Sequence, residues 1–207
     1  MIQNLIFDFG NVIIRFDPDH IVSQTVTDPH EHKILVEALF EQKRFESYDI
    51  GYFSPAEHKE HTRKLLPEAL HEKSNRILDT WYKYLPVIDG MDQLVKDAKK
   101  AGYGVYILSN INREFLENRH KVEVLSLFDG ARFSSQIQHI KPDPAIYLSL
   151  LSEYNLKAEE CLFIDDRQIN VNGGEALGIK GYLFDGNAQK LREFINTQAD
   201  MAYKIKT

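Results

Sequence analysis

Polar side chains that could act on a charged group follow three short apolar runs of this sequence. The polar residues directly after these runs are Asp8, Ser109, Asn110, Asp165 and Asp166. Crowded carboxylates repel one another and favour a hard cation such as Mg2+, for which oxygen is the preferred ligand. A hydroxyl and an ammonium group, here that of Lys141, suit a phosphoryl group beside such a cation. A carboxylate held there can attack phosphorus as a nucleophile.

The apolar runs that precede these polar residues predict the strands on which they lie. Unbroken apolar runs are typical of strands buried on both faces of a parallel sheet. The predicted strands are Leu5–Phe7, Val105–Leu108 and Cys161–Ile164, with weaker candidates at Tyr182–Phe184 and Ala131–Ser134. Helical spacing lies between them, as at Met91–Ala98 and after Asp143, an N-cap followed by proline. The alternation predicts an α/β fold with a doubly wound parallel sheet, in which ligands bind at the carboxyl ends of the strands.

A helical insertion is predicted between the first strand and the rest of the sheet. Residues 16–86 show helical spacing and no convincing buried strand, and Ser54 begins a capping box with Glu57. We therefore assign residues 1–15 and 87–207 to the α/β core and residues 16–86 to the insertion. Its histidines are expected to lie on solvated helix faces, because no acidic or cysteine partner completes a zinc set with His58 and His61.

Composition and charge exclude several classes of protein. The 207 residues are 43% hydrophobic and 27% charged, which is enough apolar material for a buried core. The formal net charge of −6 and the lack of a long basic run argue against nucleic acid or an anionic membrane as a partner. A single cysteine, Cys161, allows no internal disulfide and is expected in the core. Short apolar runs and no basic leader predict a cytoplasmic protein.

Four sequence motifs resemble those of the haloacid dehalogenase superfamily of phosphohydrolases. They are Phe7–Ile13, Ile107–Asn110, Lys141–Tyr147, and Phe163–Asp166 followed by Asn170. They occur in the family's order and cover essentially the whole chain. The resemblance implies a Rossmann-like core, a mobile helical cap and a Mg2+-dependent phosphatase acting on a small phosphorylated metabolite.

The resemblance also implies a role for each matching residue. Asp8 would be the nucleophile that forms an aspartyl-phosphate and, with the backbone carbonyl of Gly10 and the carboxylate of Asp166, a Mg2+ ligand. Asp165 and Asn170 would support the metal site. Ser109, Lys141 and the backbone amide of Asn110 would hold the phosphoryl oxygens, and water would then hydrolyse the aspartyl-phosphate.

One position departs from the family pattern, in which a second Asp two residues after the nucleophile protonates the leaving oxygen. Here that position is Gly10. Either the enzyme is slow, another group supplies the proton, or the leaving group needs little help. The third option fits the resemblance of Asp8–Ile13 to a bacterial subgroup that includes α-glucose-1-phosphate phosphatase. Candidate replacement acids in the insertion are Asp17, His20, Glu46 and Asp49.

Other functions remain as alternatives. A metal-independent haloacid dehalogenase would not need the acidic pair Asp165 and Asp166. A phosphomutase would need the acid missing at Gly10. A phospho-aspartate receiver domain carries its acidic pair first in the chain, whereas here it comes last. A catalytically weakened binding or regulatory protein is opposed by the retention of Asp8, Ser109, Lys141 and Asp166.

Overall fold

The computed structural model is organised around a five-stranded parallel sheet of order β3-β2-β1-β4-β5. It describes residues 1–198 and 204–205, apart from the side chains of 42–45. The strands are β1 Asn4–Phe7, β2 Gly104–Ser109, β3 Gly130–Phe133, β4 Cys161–Asp165 and β5 Lys180–Leu183. The predicted α/β class and doubly wound sheet are confirmed, including the two strands for which the apolar signal was weak.

Helices of the core cover both faces of this sheet. They are α6 Met91–Lys100, α7 Arg113–Asn118, α8 Ser134–Ile137, α9 Pro144–Glu153, α10 Gln168–Glu175 and α11 Ala188–Gln198. Leu5 and Ile107 face the cluster formed with α6 and α11. Ile6 and Phe163 face the opposite cluster, formed with α9. Alternate residues of each central strand are thus buried on opposite faces, which is why the strands read as unbroken apolar runs.

The segment between β1 and α6 is helical wherever a regular element forms. Its helices are α1 Pro18–Ser23, α2 Pro29–Phe40, α3 Gln42–Asp49, α4 Pro55–Arg63 and α5 His71–Thr80. This segment also contains short 3-10 helices at Glu68–Leu70 and Trp81–Lys83. Further 3-10 helices lie after α6, at Arg119–Lys121, Glu123–Leu127 and Ala158–Glu160. The Ser54–Glu57 capping box forms as predicted, and so does the Asp143 N-cap, whose carboxylate accepts from Ala145 N. Buried residues of this segment, such as Leu35 and Trp81, join the apolar cluster of the sheet.

One histidine contradicts the prediction of solvated histidines. His58 is only 1% exposed and hydrogen-bonds Glu114 of α7 through Nδ1. Its ring stacks on Tyr48, with centroids 3.6 Å apart. The prediction failed because the acidic partner lies 56 residues away along the chain. Cys161 is buried as expected.

Candidate active site

The fold brings the predicted site residues together at the carboxyl edge of the sheet. Asp8 directly follows β1, Ser109 ends β2, and Asp165 ends β4. A cavity of about 310 Å³ opens there. Of the eight predicted residues, all but Asp165 line it: Asp8, Gly10, Ser109, Asn110, Lys141, Asp166 and Asn170. The parallel register explains this meeting, because Phe7 pairs with Ile164 and Asp8 N donates to Ile164 O at 2.8 Å.

Asp8 is held by three donors that converge on one carboxylate oxygen. Oδ1 accepts from Phe9 N at 2.6 Å and from Ser109 Oγ at 2.6 Å, and Lys141 Nζ lies 2.9 Å away. Burial raises the pKa of Asp8 to about 6, although Lys141 opposes the shift. With all three contacts on Oδ1, the other oxygen of the carboxylate is available for chemistry.

Lys141 is a buried ammonium group placed between two carboxylates. Its Nζ lies 2.6 Å from Asp165 Oδ2 as well as 2.9 Å from Asp8 Oδ1. Burial alone would lower the pKa of Lys141, but attraction to Asp8 and Asp165 outweighs it, and the pKa lies above its ordinary value. The backbone of Lys141 is fixed by Asn110, whose Oδ1 accepts from Lys141 N at 2.8 Å. The ammonium group is therefore charged and rigidly placed.

The two adjacent carboxylates at the end of β4 have different environments. Asp165 is fully buried, and its oxygens accept from Lys141 Nζ, from Arg167 N at 2.8 Å and from Asn170 Nδ2 at 3.0 and 3.1 Å. Asp166 is partly exposed and lines the cavity. Burial and repulsion from Asp165 raise the pKa of Asp166. Asp165 is thus engaged within the protein, whereas Asp166 is available to a ligand.

The acidic groups at this edge fit a hard cation. One carboxylate oxygen from each of Asp8, Asp165 and Asp166 lies within 4.8 Å of the others. All the donors are oxygen atoms, which favours Mg2+ over softer metals. Burial and, to a lesser extent, the negative charge of Asp165 raise the pKa values of Asp8 and Asp166, and a bound cation would oppose both effects.

The position of Gly10 is open to the cavity. A Cβ built on Gly10 would have Phe16 Cβ as its nearest neighbour, at 3.9 Å, which is ordinary van der Waals distance. Gly10 lies outside the left-handed region of positive φ, so the backbone does not demand glycine here. The absence of a side chain at this position leaves room in the cavity rather than satisfying a steric requirement.

Helices α3 and α7 contribute further residues that sequence reasoning missed or left unresolved. Asp49, at the end of α3, lines the cavity and is buried. Glu114, on α7, forms a hydrogen bond with His58 of α4. Among charged groups, Glu114 also has the largest effect on the pKa of Asp49, which its negative charge raises. No local spacing could have linked these residues, because they come from three separate helices.

The outer wall of the cavity is largely apolar. Phe16, Phe40, Trp81 and Leu85 line it. Phe16 packs edge-on against both Phe40 and Trp81, with centroids 5.8 Å apart in each case. Trp81 is buried in the apolar core and also forms part of this wall.

Comparison with known proteins places this arrangement in a family. A model of the haloacid dehalogenase-like hydrolases matches residues 2–178. The chain belongs to this family. The expectation that the protein is a hydrolase is therefore confirmed. The described part of this hydrolase holds no helix that is long and apolar enough to cross a membrane.

Two relatives of this hydrolase are named as phosphatases. It is 24% identical over 210 residues to D-ribitol-5-phosphate phosphatase of Bacteroides thetaiotaomicron, covering 95% of this chain and 100% of that protein. It is 28% identical over 111 residues to a phosphorylated carbohydrates phosphatase of Thermotoga maritima, covering 54% of this chain and 50% of the relative.

Solved structures share the fold of this hydrolase. A predicted HAD-like family hydrolase from Porphyromonas gingivalis superposes with a TM-score of 0.73 at 24% identity, covering 97% of this chain and 100% of that one. A HAD family enzyme from Bacteroides thetaiotaomicron, solved with magnesium and inorganic phosphate, gives a TM-score of 0.67 at 22% identity over 90% and 96% of the two chains.

Proposed function

We propose that this hydrolase is a Mg2+-dependent phosphatase that removes the phosphoryl group of a small phosphorylated metabolite. The observation that carries the proposal is the buried Lys141 ammonium, 2.9 Å from Asp8 and 2.6 Å from Asp165 at the end of a cavity. A fixed cation beside a restrained carboxylate suits attack on an anionic centre, which a nucleophile could otherwise not approach. The phosphatase activity named for two relatives supports the same chemistry.

Each residue at the carboxyl edge has a role in this proposal. Asp8 attacks phosphorus and forms an aspartyl-phosphate, which water then hydrolyses. Ser109, Lys141 and the backbone amide of Asn110 hold the phosphoryl oxygens. In the wild-type arrangement Ser109 and Lys141 contact Asp8 Oδ1 directly, so they also hold the nucleophile in place.

The metal ligands in this proposal are the Asp8 carboxylate, the Gly10 carbonyl and the Asp166 carboxylate. Bound there, Mg2+ would offset the negative charge of the phosphoryl oxygens. Asp165 and Asn170 support the site rather than bind the metal, because Asp165 already accepts from Lys141, Arg167 and Asn170. A Mg2+-free dehalogenase reaction would gain nothing from this concentration of negative charge. Residues 16–86 serve in the proposal as a cap over the cavity.

A finer proposal concerns the substrate class. The resemblance of the first motif points to a sugar 1-phosphate. The relatives are named for phosphorylated carbohydrates and a phosphorylated polyol, which supports a phosphorylated carbohydrate in general.

A phosphatase screen tests both levels of the proposal. Release of inorganic phosphate is measured for an aryl phosphate and for sugar 1-phosphates, sugar 6-phosphates and polyol phosphates, with Mg2+ and with EDTA. We expect Mg2+-dependent turnover of the aryl ester and of at least one carbohydrate ester. Release of halide from 2-haloacids in EDTA, without phosphatase activity, would contradict the proposal.

A further inference from the structure

The open position at Gly10 leaves the proposed reaction in need of a proton donor, and the structure separates the four candidates. Asp17 accepts from His20 N at 3.0 Å at the start of α1. Both residues line a different depression, together with Arg15 and Pro86, and neither lines the cavity that contains Asp8. Asp17 and His20 are therefore poorly placed to reach a leaving oxygen.

Glu46 lines the cavity but is engaged in an ion pair. Its Oε1 lies 3.3 Å from a guanidinium nitrogen of Arg167, which follows the acidic pair at the end of β4. This contact gives Glu46 a role in holding Arg167, and a charged partner that already occupies its carboxylate.

Asp49 combines burial, a free oxygen and access to the cavity. Its side chain is more than nine-tenths buried, and Oδ1 has no hydrogen-bond partner within the described part of the chain. Such a buried, unsatisfied oxygen is costly and calls for a ligand or a function. Burial, with repulsion from Glu114, Glu46 and Asp8, holds the pKa of Asp49 well above its ordinary value, against the attraction of Lys141. These surroundings favour the protonated acid.

Hydrogen bonds fix Asp49 relative to the phosphoryl end of the cavity. Ser134 Oγ donates to the backbone carbonyl of Asp49 and accepts from Ile111 N at 2.8 Å. Ile111 lies two residues after Ser109, which bonds Asp8. Gly51, two residues after Asp49, packs closely against Ser135, since a Cβ on Gly51 would lie 2.6 Å from Ser135 Cα. The carboxyl end of α3 is therefore tied to the loop that positions the nucleophile.

We propose that the carboxyl group of Asp49 protonates the departing oxygen and then takes a proton from the attacking water, replacing the side chain that Gly10 lacks. This role rests on the phosphatase function proposed above. In the first step Asp8 bonds to phosphorus, the ester bond from phosphorus to oxygen breaks, and the departing oxygen takes the Asp49 proton and leaves as an alcohol. In the second step water bonds to phosphorus, the bond to Asp8 breaks, and Asp49 regains a proton from that water.

The test compares esters with good and poor leaving groups on the same variants. Asp49→Asn and Asp49→Ala are assayed with aryl and alkyl phosphates graded by leaving-group pKa, and the rate of the first step is measured under single-turnover conditions. We expect a shallow dependence in the wild type. In both variants the alkyl esters should lose about 10²–10⁴-fold, the usual contribution of general acid–base catalysis, while aryl esters lose much less in this step.

A second readout follows the covalent intermediate. Because Asp49 also activates water, Asp49→Asn should accumulate phosphate on Asp8 from an aryl ester, detected by mass spectrometry of quenched protein. Mg2+ binding measured by calorimetry should be unchanged, since Asp49 is not among the proposed ligands. Glu46→Gln, one turn earlier on α3, is the matched control and should leave the leaving-group dependence as in the wild type.

The outcomes separate this inference from the function beneath it. A wild-type protein that turns over no phosphate ester would overturn the phosphatase proposal itself. An active wild type whose Asp49 variants keep the native circular dichroism spectrum, yet lose equal factors on aryl and alkyl esters or lose nothing, would overturn the role of Asp49. The aryl ester reports a competent site in each sample, so misfolding is not mistaken for loss of the acid.

Discussion

The ammonium nitrogen of Lys141 lies 2.9 Å from Oδ1 of Asp8, although the two residues are 133 positions apart in the chain. Both side chains are almost completely buried, and Ser109 Oγ shares the same oxygen of Asp8. A buried carboxylate is stable only with such partners, and here they restrain the group that we propose as the nucleophile. The predictions below depend on this contact and on the acidic residues around it.

Replacing the nucleophile should stop turnover without disturbing the fold. Asp8→Asn keeps the shape of the side chain and removes the attacking charge, so we expect kcat for an aryl phosphate to fall by at least about 10³-fold. Asp185→Asn, at an exposed acidic residue after β5, is the control and should retain activity. Residual activity of Asp8→Asn close to that of the wild type would remove Asp8 from the mechanism.

The same variant should be more stable than the wild type at neutral pH in EDTA. The pKa of Asp8 is raised from 3.8 to about 6 in the folded protein. Its contribution to folding stability is therefore fully present below about pH 4, where Asp8 is protonated, and is lost as pH rises through 6. Asp8→Asn should therefore raise the free energy of unfolding at pH 7.5 by about 1–3 kcal/mol, and this gain should vanish near pH 4. Urea unfolding at both pH values measures it.

Asp185→Asn is the control, because the pKa of Asp185 is shifted in the opposite direction to that of Asp8. The hydrogen bond with Lys190 lowers the pKa of Asp185, so its ionised form is not a source of instability. No gain in stability is expected from this variant at pH 7.5. A wild-type protein more stable than Asp8→Asn at that pH would show that the ionised carboxylate of Asp8 does not destabilise the folded protein.

Lys141→Ala should lower activity and stability more than Lys141→Arg does. Lys141→Ala leaves Asp165 fully buried without its cationic partner, and breaking such a pair costs about 3–5 kcal/mol. Lys141→Arg keeps the charge but not the fit, so we expect intermediate losses of kcat and of the unfolding midpoint. Lys190→Ala, at an exposed ion pair with Asp185, is the control. Equal behaviour of the two alanine variants would contradict the assigned role of Lys141.

Asp166 should govern the affinity for Mg2+. Asp166→Asn removes one proposed ligand charge at the cavity, and we expect calorimetry to show Mg2+ affinity lowered by at least about tenfold, with a parallel loss of activity. EDTA should stop the wild-type enzyme, and added Mg2+ should restore it. Full wild-type activity in EDTA would exclude the metal from the reaction.

A carboxyl group at position 10 should substitute for Asp49. The nearest atom to a Cβ at Gly10 is 3.9 Å away, so Gly10→Asp is sterically allowed. In the Asp49→Asn background it should restore turnover of alkyl phosphates and flatten the dependence on leaving-group pKa. No recovery in the double variant would show that position 10 does not reach the leaving oxygen in this chain.

The strands of the sheet could be predicted from the sequence, together with the order of the motifs and the residues at the carboxyl edge. Strands such as Cys161–Asp165 are buried on both faces and must be apolar throughout, so the polar residues at their ends stand out without any knowledge of neighbours. Helix starts at Ser54 and Asp143 were equally local, since a cap needs only residues within one turn.

The burial of polar groups and the identity of their partners could not be predicted from the sequence, because they depend on how distant segments pack. Contacts between distant segments produce the hydrogen bond of His58 with Glu114 and the bond of Lys141 with Asp165. Such packing also buries Asp49 Oδ1 without a hydrogen-bond partner in the described residues. The pKa of a carboxyl group depends on desolvation and on charges within a few ångströms, and neither can be read from neighbours along the chain. For this reason the sequence named Asp49 among four candidate acids, and packing alone distinguished it from the other three.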